Sequence, residues 1–153
     1  MLKISVGSRF FALVLMALLM PLAPSQANVW VKTGEVSTRS VPPRPMLESL
    51  DPDAPEIIVD SPVVQDKPFA APVKVIVRFV AKSGTRILPD SVKLIYVTFF
   101  SDIDITDRVR DRITATGIRD EKAELPSGSH HLIVQVSDDK GRERKKEFRF
   151  EVE

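Results

Sequence analysis

Cysteine is absent from all 153 residues of the chain. A disulfide framework is therefore excluded, and so is a lipid-modified N-terminal cysteine. Small exported domains often depend on disulfides, so a domain of this composition must be stabilised by its hydrophobic core alone.

Several other residue types are scarce. Asparagine occurs once, at Asn28, outside any N-x-S/T sequon, which excludes N-glycosylation by that route. The chain has one tryptophan, Trp30, and one tyrosine, Tyr96. Because sugar-binding surfaces usually present aromatic rings, this scarcity disfavours a carbohydrate-binding module.

A single long apolar run stands near the start of the chain, from Phe10 to Ala23. Lys3 and Arg9 precede it, and the small residues Ser25 and Ala27 follow at the spacing of a peptidase site. This order is typical of a cleavable secretory signal peptide over residues 1–27. The run is shorter than the ~18 residues of a bilayer span and is broken by proline.

These features predict an exported protein, periplasmic or secreted, that begins at Asn28 and has no membrane span after cleavage. The leader holds two basic residues and no acid, so the remaining chain has a formal charge of −1. A nearly neutral chain gives no sign of a dedicated polyanion partner, and we expect no nucleic acid to bind.

Residues 28–55 contain five prolines and no sustained period of 2 or 3.6. The pattern predicts a flexible, proline-rich tail or linker before the folded part of the chain. The larger apolar residues of this segment, Trp30 among them, could also dock on the domain that follows.

From Glu56 to Glu153 the pattern changes to short alternating apolar runs bounded by turn residues. In the clearest run, residues 73–79, Val73 and Val75 share one face with Val77, and Lys74 lies on the other. About seven such runs predict an all-β domain over residues 56–153, an antiparallel β-sandwich. They cover residues 57–59, 73–79, 91–100, 112–115, 122–125, 132–136 and 148–152. One helical turn is expected at Thr106 to Ile113, capped by Thr106 or Asp104.

The run LPSGSHHLIVQVSDDKGR, Leu125 to Arg142, resembles the E to F corner and F to G hairpin of bacterial immunoglobulin-like and fibronectin type III-like domains. The runs PEIIVDSP and LPDSVKLIYV suit the first and central strands of the same fold. The resemblance covers Pro55 to Glu153 and implies an immunoglobulin-like β-sandwich, without implying an activity. His130 stands where those domains often have tyrosine.

The two histidines, His130 and His131, are neighbours in a predicted strand. They point to opposite faces, so they cannot jointly chelate a metal ion. We interpret His130 as a corner residue hydrogen-bonded to nearby backbone and His131 as facing solvent. No catalytic triad can readily converge from one local cluster, so we predict that the protein is not an enzyme and has no cofactor, catalytic residue or metal site.

An acidic group lies between residues 102 and 111 and offers the oxygen ligands that calcium prefers. The spacing does not match an EF-hand loop, and three arginines are interleaved with the acids, which favours a charged, self-compensating surface. The acids are Asp102, Asp104, Asp107 and Asp111, and the arginines are Arg108, Arg110 and Arg112.

The last predicted hairpin contains the only concentration of basic residues, which could contact an anionic polymer. Together with Trp30 it forms the candidate interaction surface: Lys140, Arg142, Arg144, Lys145, Lys146 and Arg149. The sequence thus predicts a non-catalytic immunoglobulin-like domain acting as a protein-interaction or structural module in the cell envelope, whose partner is another envelope or extracellular protein. The alternative is a module that binds calcium or an anionic polymer.

Overall fold

This computed structural model describes residues 28–36, 42, 51–63, 65, 67–82 and 84–153. The predicted signal peptide and most of residues 37–50 lie outside the described residues. The described part contains nine β-strands: β1 (Asn28–Val29), β2 (Glu56–Ser61), β3 (Val73–Val80), β4 (Lys93–Val97), β5 (Asp102–Asp104), β6 (Ile113–Thr114), β7 (Gly117–Glu124), β8 (Gly128–Ser137) and β9 (Glu143–Val152). Three short 3₁₀ helices cover Thr33–Glu35, Pro89–Ser91 and Thr106–Arg112.

The strands form two sheets. The first has the order β1-β7-β3-β2, with β6 also paired to β7, and the second has the order β5-β4-β8-β9. All pairs are antiparallel except β1 with β7. The apolar side chains of both sheets belong to one buried cluster, so the predicted all-β sandwich is confirmed.

The alternating runs form strands because one side of each can be buried. Val73, Val75 and Val77 are buried in β3, whereas Lys74 between them is exposed. Ile76 is half-buried on the outer face, in keeping with the position of β3 between two neighbouring strands.

Strands β8 and β9 make the long hairpin predicted from the last two runs. Ten residue pairs join them, from Gly128 with Val152 to Ser137 with Glu143. The predicted core residues Val134 and Phe150 are buried. The hairpin places the basic residues of β9 at one edge of the second sheet.

Two strands differ from their predicted extents. The run 91–100 ends as a strand at Val97, because the Thr98 hydroxyl and the backbone of Ser101 hydrogen-bond to each other and close a turn. The run 122–125 extends back to Gly117. There the chain passes so close to β3 that a Cβ atom would lie 2.0 Å from the Val77 carbonyl oxygen, and φ is +147°.

Residues 28–31 pack onto the domain, although the sequence predicted a flexible tail over residues 28–55. Residues 37–41 and 43–50 of that predicted tail lie outside the described residues. Residues Asn28 and Val29 pair with β7, and Trp30 and Val31 are buried in the core. Ala54 is also buried. The alternative that apolar residues of this segment dock on the domain is what the structure shows for residues 28–31.

Candidate interaction surfaces

Trp30, predicted as part of the interaction surface, lies wholly inside the core with no exposed area. Its indole Nε1 donates a 2.9 Å hydrogen bond to Oδ2 of Asp120, a carboxylate that is itself buried. Its backbone nitrogen donates to the Glu124 carbonyl oxygen. The ring is therefore part of the hydrophobic core and not of the exposed surface.

A guanidinium group fixes the residues after Trp30. Arg108 in the third 3₁₀ helix donates two short hydrogen bonds to the Glu35 carboxylate, at 2.6 and 2.7 Å, and one to the Trp30 carbonyl oxygen. These bonds lower the pKa of Glu35 to about 2 and raise the pKa of Arg108. Arg108 was expected to balance the acidic group of residues 102–111, but its partner is Glu35.

Two arginines of the predicted basic surface serve structural roles. The Arg142 Nε donates a 2.7 Å hydrogen bond to the fully buried carboxylate of Asp138. Arg144 donates to the backbone carbonyl oxygens of Asp51 and Pro55, at 2.9 and 3.0 Å. Both side chains are therefore committed to holding turns and loops in place.

The remaining basic residues of the hairpin are mixed with acids. Lys145 forms an ion pair with Glu143 at 3.3 Å, and Arg149 donates to Glu147. Lys140 and Lys146 are exposed. Four of the six predicted residues, Arg142, Arg144, Lys145 and Arg149, therefore each have a different partner.

The histidines follow their predicted interpretation only in part. His130 is buried, its Nε2 lies 2.7 Å from the Pro126 carbonyl oxygen, and its ring packs between Tyr96 and Phe150. Burial lowers the pKa of His130. His131 does not face solvent as predicted: it is 6% exposed, and its Nε2 lies 2.7 Å from Glu147.

The acidic group is dispersed among local partners. Asp104 accepts hydrogen bonds from the backbone and hydroxyl of Thr106. The residue at the N-cap of this 3₁₀ helix is Ile105, so the prediction that Thr106 or Asp104 caps the turn is wrong. Asp107 pairs with Arg110, and Asp111 with Arg112. Among the residues that the structure describes, no group of three or more potential ligands could hold a metal ion.

The most exposed aromatic group of the described chain was not predicted as a site. Phe100 is 86% exposed and Phe99 is 40% exposed, and their rings contact edge to face with centroids 5.1 Å apart. They occupy the turn between β4 and β5 that Thr98 and Ser101 close. We call this turn, residues 98–101, the phenylalanine tip.

A signal for the tip is present in the sequence but weak. Thr98 and Ser101 flank the two phenylalanines at a spacing of three residues, a pattern in which hydroxyl groups often close turns. The apolar run continued through Phe100, so the prediction extended the strand across the turn.

The two ends of the sandwich differ in their exposed apolar residues. The phenylalanine tip follows the end of β4, which pairs near the start of β8. Because β7 ends just before β8 begins, the tip lies at the end of the sandwich where β4 and β7 finish. Of the six large hydrophobic residues exposed in the described part of the chain, four lie at this end and two at the other. The four are Val29, Val63, Phe99 and Phe100, and the two are Val80 and Leu88. We call the end of the sandwich that carries these four residues the apolar end.

A groove of about 560 Å³ lies at the same end, beside β1 and the end of β7. Its walls are mainly apolar, with the charged residues Lys32 and Glu124 also lining it. The apolar and polar uncharged lining consists of Val29, Val31, Thr33, Ala71, Pro72, Leu125 and Pro126.

Comparison of the chain with protein-family models, with curated proteins and with solved structures finds no match. Among the described residues, no helix is long and apolar enough to cross a membrane.

Proposed function

We propose that the sandwich is immunoglobulin-like. Support comes from its strand order. When β2, β3, β7 and β6 are equated with strands A, B, E and D, and β4, β8 and β9 with C, F and G, both sheets have the immunoglobulin order, and β5 takes the place of C′. The fold by itself does not specify an activity, so the function has to be argued from the surface.

We propose further that the protein is an exported, non-catalytic interaction module of the cell envelope, which binds an envelope or extracellular protein through its apolar end. The observation that carries this proposal is the phenylalanine tip. An aromatic residue that is 86% exposed costs free energy in water, and aromatic side chains are enriched in the buried centres of protein interfaces.

The geometry of the tip favours a binding role over chance exposure. The turn is closed by hydrogen bonds between Thr98 and Ser101, so Phe100 is presented on a defined backbone and loses little conformational entropy on binding. A projecting ring of this kind matches the anchor residues that supply most of the energy of many interfaces.

The experiment compares Phe100→Ser with the matched variant Leu88→Ser. Leu88 is also an exposed hydrophobic residue, but it lies at the opposite end of the sandwich. The full chain is expressed in its host, and the apparent mass of the exported protein in a gentle extract is measured by size-exclusion chromatography with antibody detection.

We expect wild type and Leu88→Ser to elute in a complex, and Phe100→Ser to elute at the mass of the single chain. Elution of all three proteins as single chains, or as the same complex, would contradict binding through the tip. Circular dichroism spectra of the purified variants check that each has kept the β-sheet fold.

A further inference from the structure

The turn before β2 contains a peptide bond of unusual reactivity, the bond between Asp51 and Pro52. It is the only Asp–Pro bond in the sequence. Pro52 is exposed, and Asp51 is half-buried. An aspartate carboxylate can reach its own carbonyl carbon, and the proline nitrogen, a tertiary amide, leaves as a secondary amine once it is protonated. A bond of this type is therefore open to attack from within the chain.

The carbonyl oxygen of Asp51 is held by two hydrogen-bond donors. The Arg144 Nη2 donates to it at 2.9 Å, and the backbone nitrogen of Ala54 donates to it at 3.2 Å. Arg144 is fixed in this position because its Nε also donates to the Pro55 carbonyl oxygen, at 3.0 Å. A cationic donor and a backbone donor at one carbonyl oxygen are the arrangement that stabilises the negative charge of a tetrahedral intermediate.

The carboxylate of Asp51 is held in the same turn. Its Oδ1 accepts a 2.9 Å hydrogen bond from the backbone nitrogen of Asp53. The side chain of Asp53 in turn forms an ion pair with Arg142 at 3.5 Å, and the Arg142 Nε donates to the buried carboxylate of Asp138. The attacking group and the carbonyl group are thus placed together on one turn, which Arg142 and Arg144 hold against the second sheet.

We propose that the Asp51–Pro52 bond is a self-cleavage site. An oxygen of the Asp51 carboxylate attacks the carbonyl carbon of the same residue, and the negative charge moves to the carbonyl oxygen beside Arg144. The bond to the Pro52 nitrogen then breaks, this nitrogen takes a proton from solvent, and the aspartate is left as a cyclic anhydride. Water opens the anhydride, so that one fragment ends in the free acid of Asp51 and the other begins with the amine of Pro52.

Cleavage would divide the chain without taking the domain apart. Residues 28–31 pair with β7 or are buried in the core, and Arg108 binds the carboxylate of Glu35. These contacts would keep the N-terminal fragment on the sandwich after the cut. The reaction therefore converts a covalent part of the core into a bound peptide, whose release depends on noncovalent contacts alone.

The test follows the two fragments by mass spectrometry under denaturing conditions, in protein purified from cells that express the full chain. Folded protein is incubated at about pH 5, where carboxylates are still mainly ionised and solvent protons are more abundant than at neutral pH. Circular dichroism verifies the fold at this pH, and a second sample is kept unfolded in urea at the same pH.

Two variants remove the reacting groups. Asp51→Asn removes the attacking carboxylate, and Arg144→Gln removes the cationic donor. The matched controls are Asp107→Asn, which changes an exposed aspartate in another part of the chain, and Lys145→Gln, which changes the basic residue next to Arg144. If circular dichroism shows that Arg144→Gln has failed to fold, Arg144→Lys replaces it, because lysine keeps the charge but not the planar group that binds two carbonyl oxygens.

We expect the folded wild type and both controls to be cleaved at least about tenfold faster than the unfolded chain, because only the folded turn brings both donors to the carbonyl oxygen. Asp51→Asn and the folded Arg144 variant should be cleaved at least about tenfold more slowly than wild type. Equal rates for the folded and unfolded wild type would overturn the proposal, since the bond would then react through its sequence alone. Absence of the two fragments from the folded wild type, or an unchanged rate in either variant, would overturn it as well.

Discussion

Trp30 and Asp120 are ninety residues apart in the chain and are joined by one buried hydrogen bond. The sequence offers no sign of this pair, because an aspartate in a strand and a tryptophan in a proline-rich segment each have many partners available. What the structure adds is burial: the carboxylate lies inside the sandwich and accepts bonds from the indole and from the backbone of Lys122. A buried acceptor of this kind makes the tryptophan difficult to replace.

We expect Trp30→Ala to lower the free energy of unfolding by about 3–5 kcal/mol, since it removes a fully buried aromatic side chain. Trp30→Phe should cost less, about 1–3 kcal/mol, because it retains much of the packing and loses the donor to Asp120. Urea unfolding followed by circular dichroism measures both. A loss below about 1 kcal/mol for the alanine variant would be inconsistent with burial of the ring.

Because His130 is buried, we predict that the free energy of unfolding depends on pH in a defined direction. Burial lowers its folded-state pKa below the ordinary value of 6.5, so below pH 6.5 the unfolded chain binds a proton that the folded chain does not. Stability should therefore fall as the pH decreases from 6.5 toward the folded pKa.

The size of this effect is the difference between the stability-against-pH profiles of the wild type and of His130→Phe, a variant that retains His131 and its neighbour Glu147. Denaturant titrations between pH 7.5 and 5, values that bracket the ordinary histidine pKa of roughly 6.5, provide both profiles. Parallel profiles would show that His130 does not carry the pH dependence.

Among the elements, the strands with clear alternation, β3, β8 and β9, could be predicted, whereas β1, β5 and the first part of β7 could not. Strands β3, β8 and β9 have eight to ten residues, enough for alternation to be visible in the sequence. Strands β1 and β5 have two and three residues, too few to show a period. Their positions depend on long-range pairing to β7 and β4.

The described N-terminal segment, residues 28–36, should stabilise the domain. A chain beginning at Asp51 lacks Trp30, Val31 and the Glu35 partner of Arg108, but keeps the carbonyl groups that bind Arg144. We expect this shorter chain to unfold at a temperature lower by ten degrees or more, since about 1 kcal/mol corresponds to roughly 4–8 °C in a domain of this size.

Thermal unfolding of the chains beginning at Asn28 and at Asp51 gives the comparison. Equal melting temperatures would mean that residues 28–36 contribute no net stability, which would contradict their burial in the core.

The charged residues of the hairpin β8–β9 have two different roles: Arg144 holds a loop in place, whereas Lys145 and Lys146 lie at the surface. Arg144→Glu should lower the free energy of unfolding by about 1–3 kcal/mol, because the carbonyl groups of Asp51 and Pro55 lose their donor. The double change Lys145→Glu and Lys146→Glu should leave stability within about 0.5 kcal/mol of wild type. Urea unfolding distinguishes the two cases, and equal losses would contradict the assignment.

The same double variant tests the anionic-polymer alternative. Salt-sensitive binding of the wild type to heparin that the double variant loses would support this alternative. Binding that is unaffected by the change would exclude these lysines as its source.

At the scale of the whole molecule, the fold class follows from the sequence but the candidate site does not. The basic residues are close in sequence, yet Arg144 is bound to carbonyl groups about ninety residues away, and such pairing is invisible to charge counting. Phe99 and Phe100 were predicted to lie in a strand because the apolar run continues through them. The strand ends earlier, at Val97, because hydrogen bonds of Thr98 close a turn, and this end is not visible in the sequence pattern. The surface was therefore the least predictable part of the molecule.

The distribution of exposed apolar residues over the molecule favours binding through one end of the sandwich, the apolar end. The apolar end carries the phenylalanine tip, Val29 and Val63, whereas Lys140 and Arg86 lie at the other end with the turns after β8 and β3. A contact at the apolar end would bury these exposed apolar side chains, and burial of apolar surface supplies affinity.

The most direct test of the account is crosslinking from position 100 in living cells. A photoreactive phenylalanine analogue replaces Phe100, and in a control protein it replaces Leu88. We expect a protein adduct from position 100 and little or none from position 88. An adduct of twice the chain mass would identify a second copy. An adduct of any other mass would identify a different partner protein, and absence of any protein adduct from position 100 would show that the phenylalanine tip binds no protein.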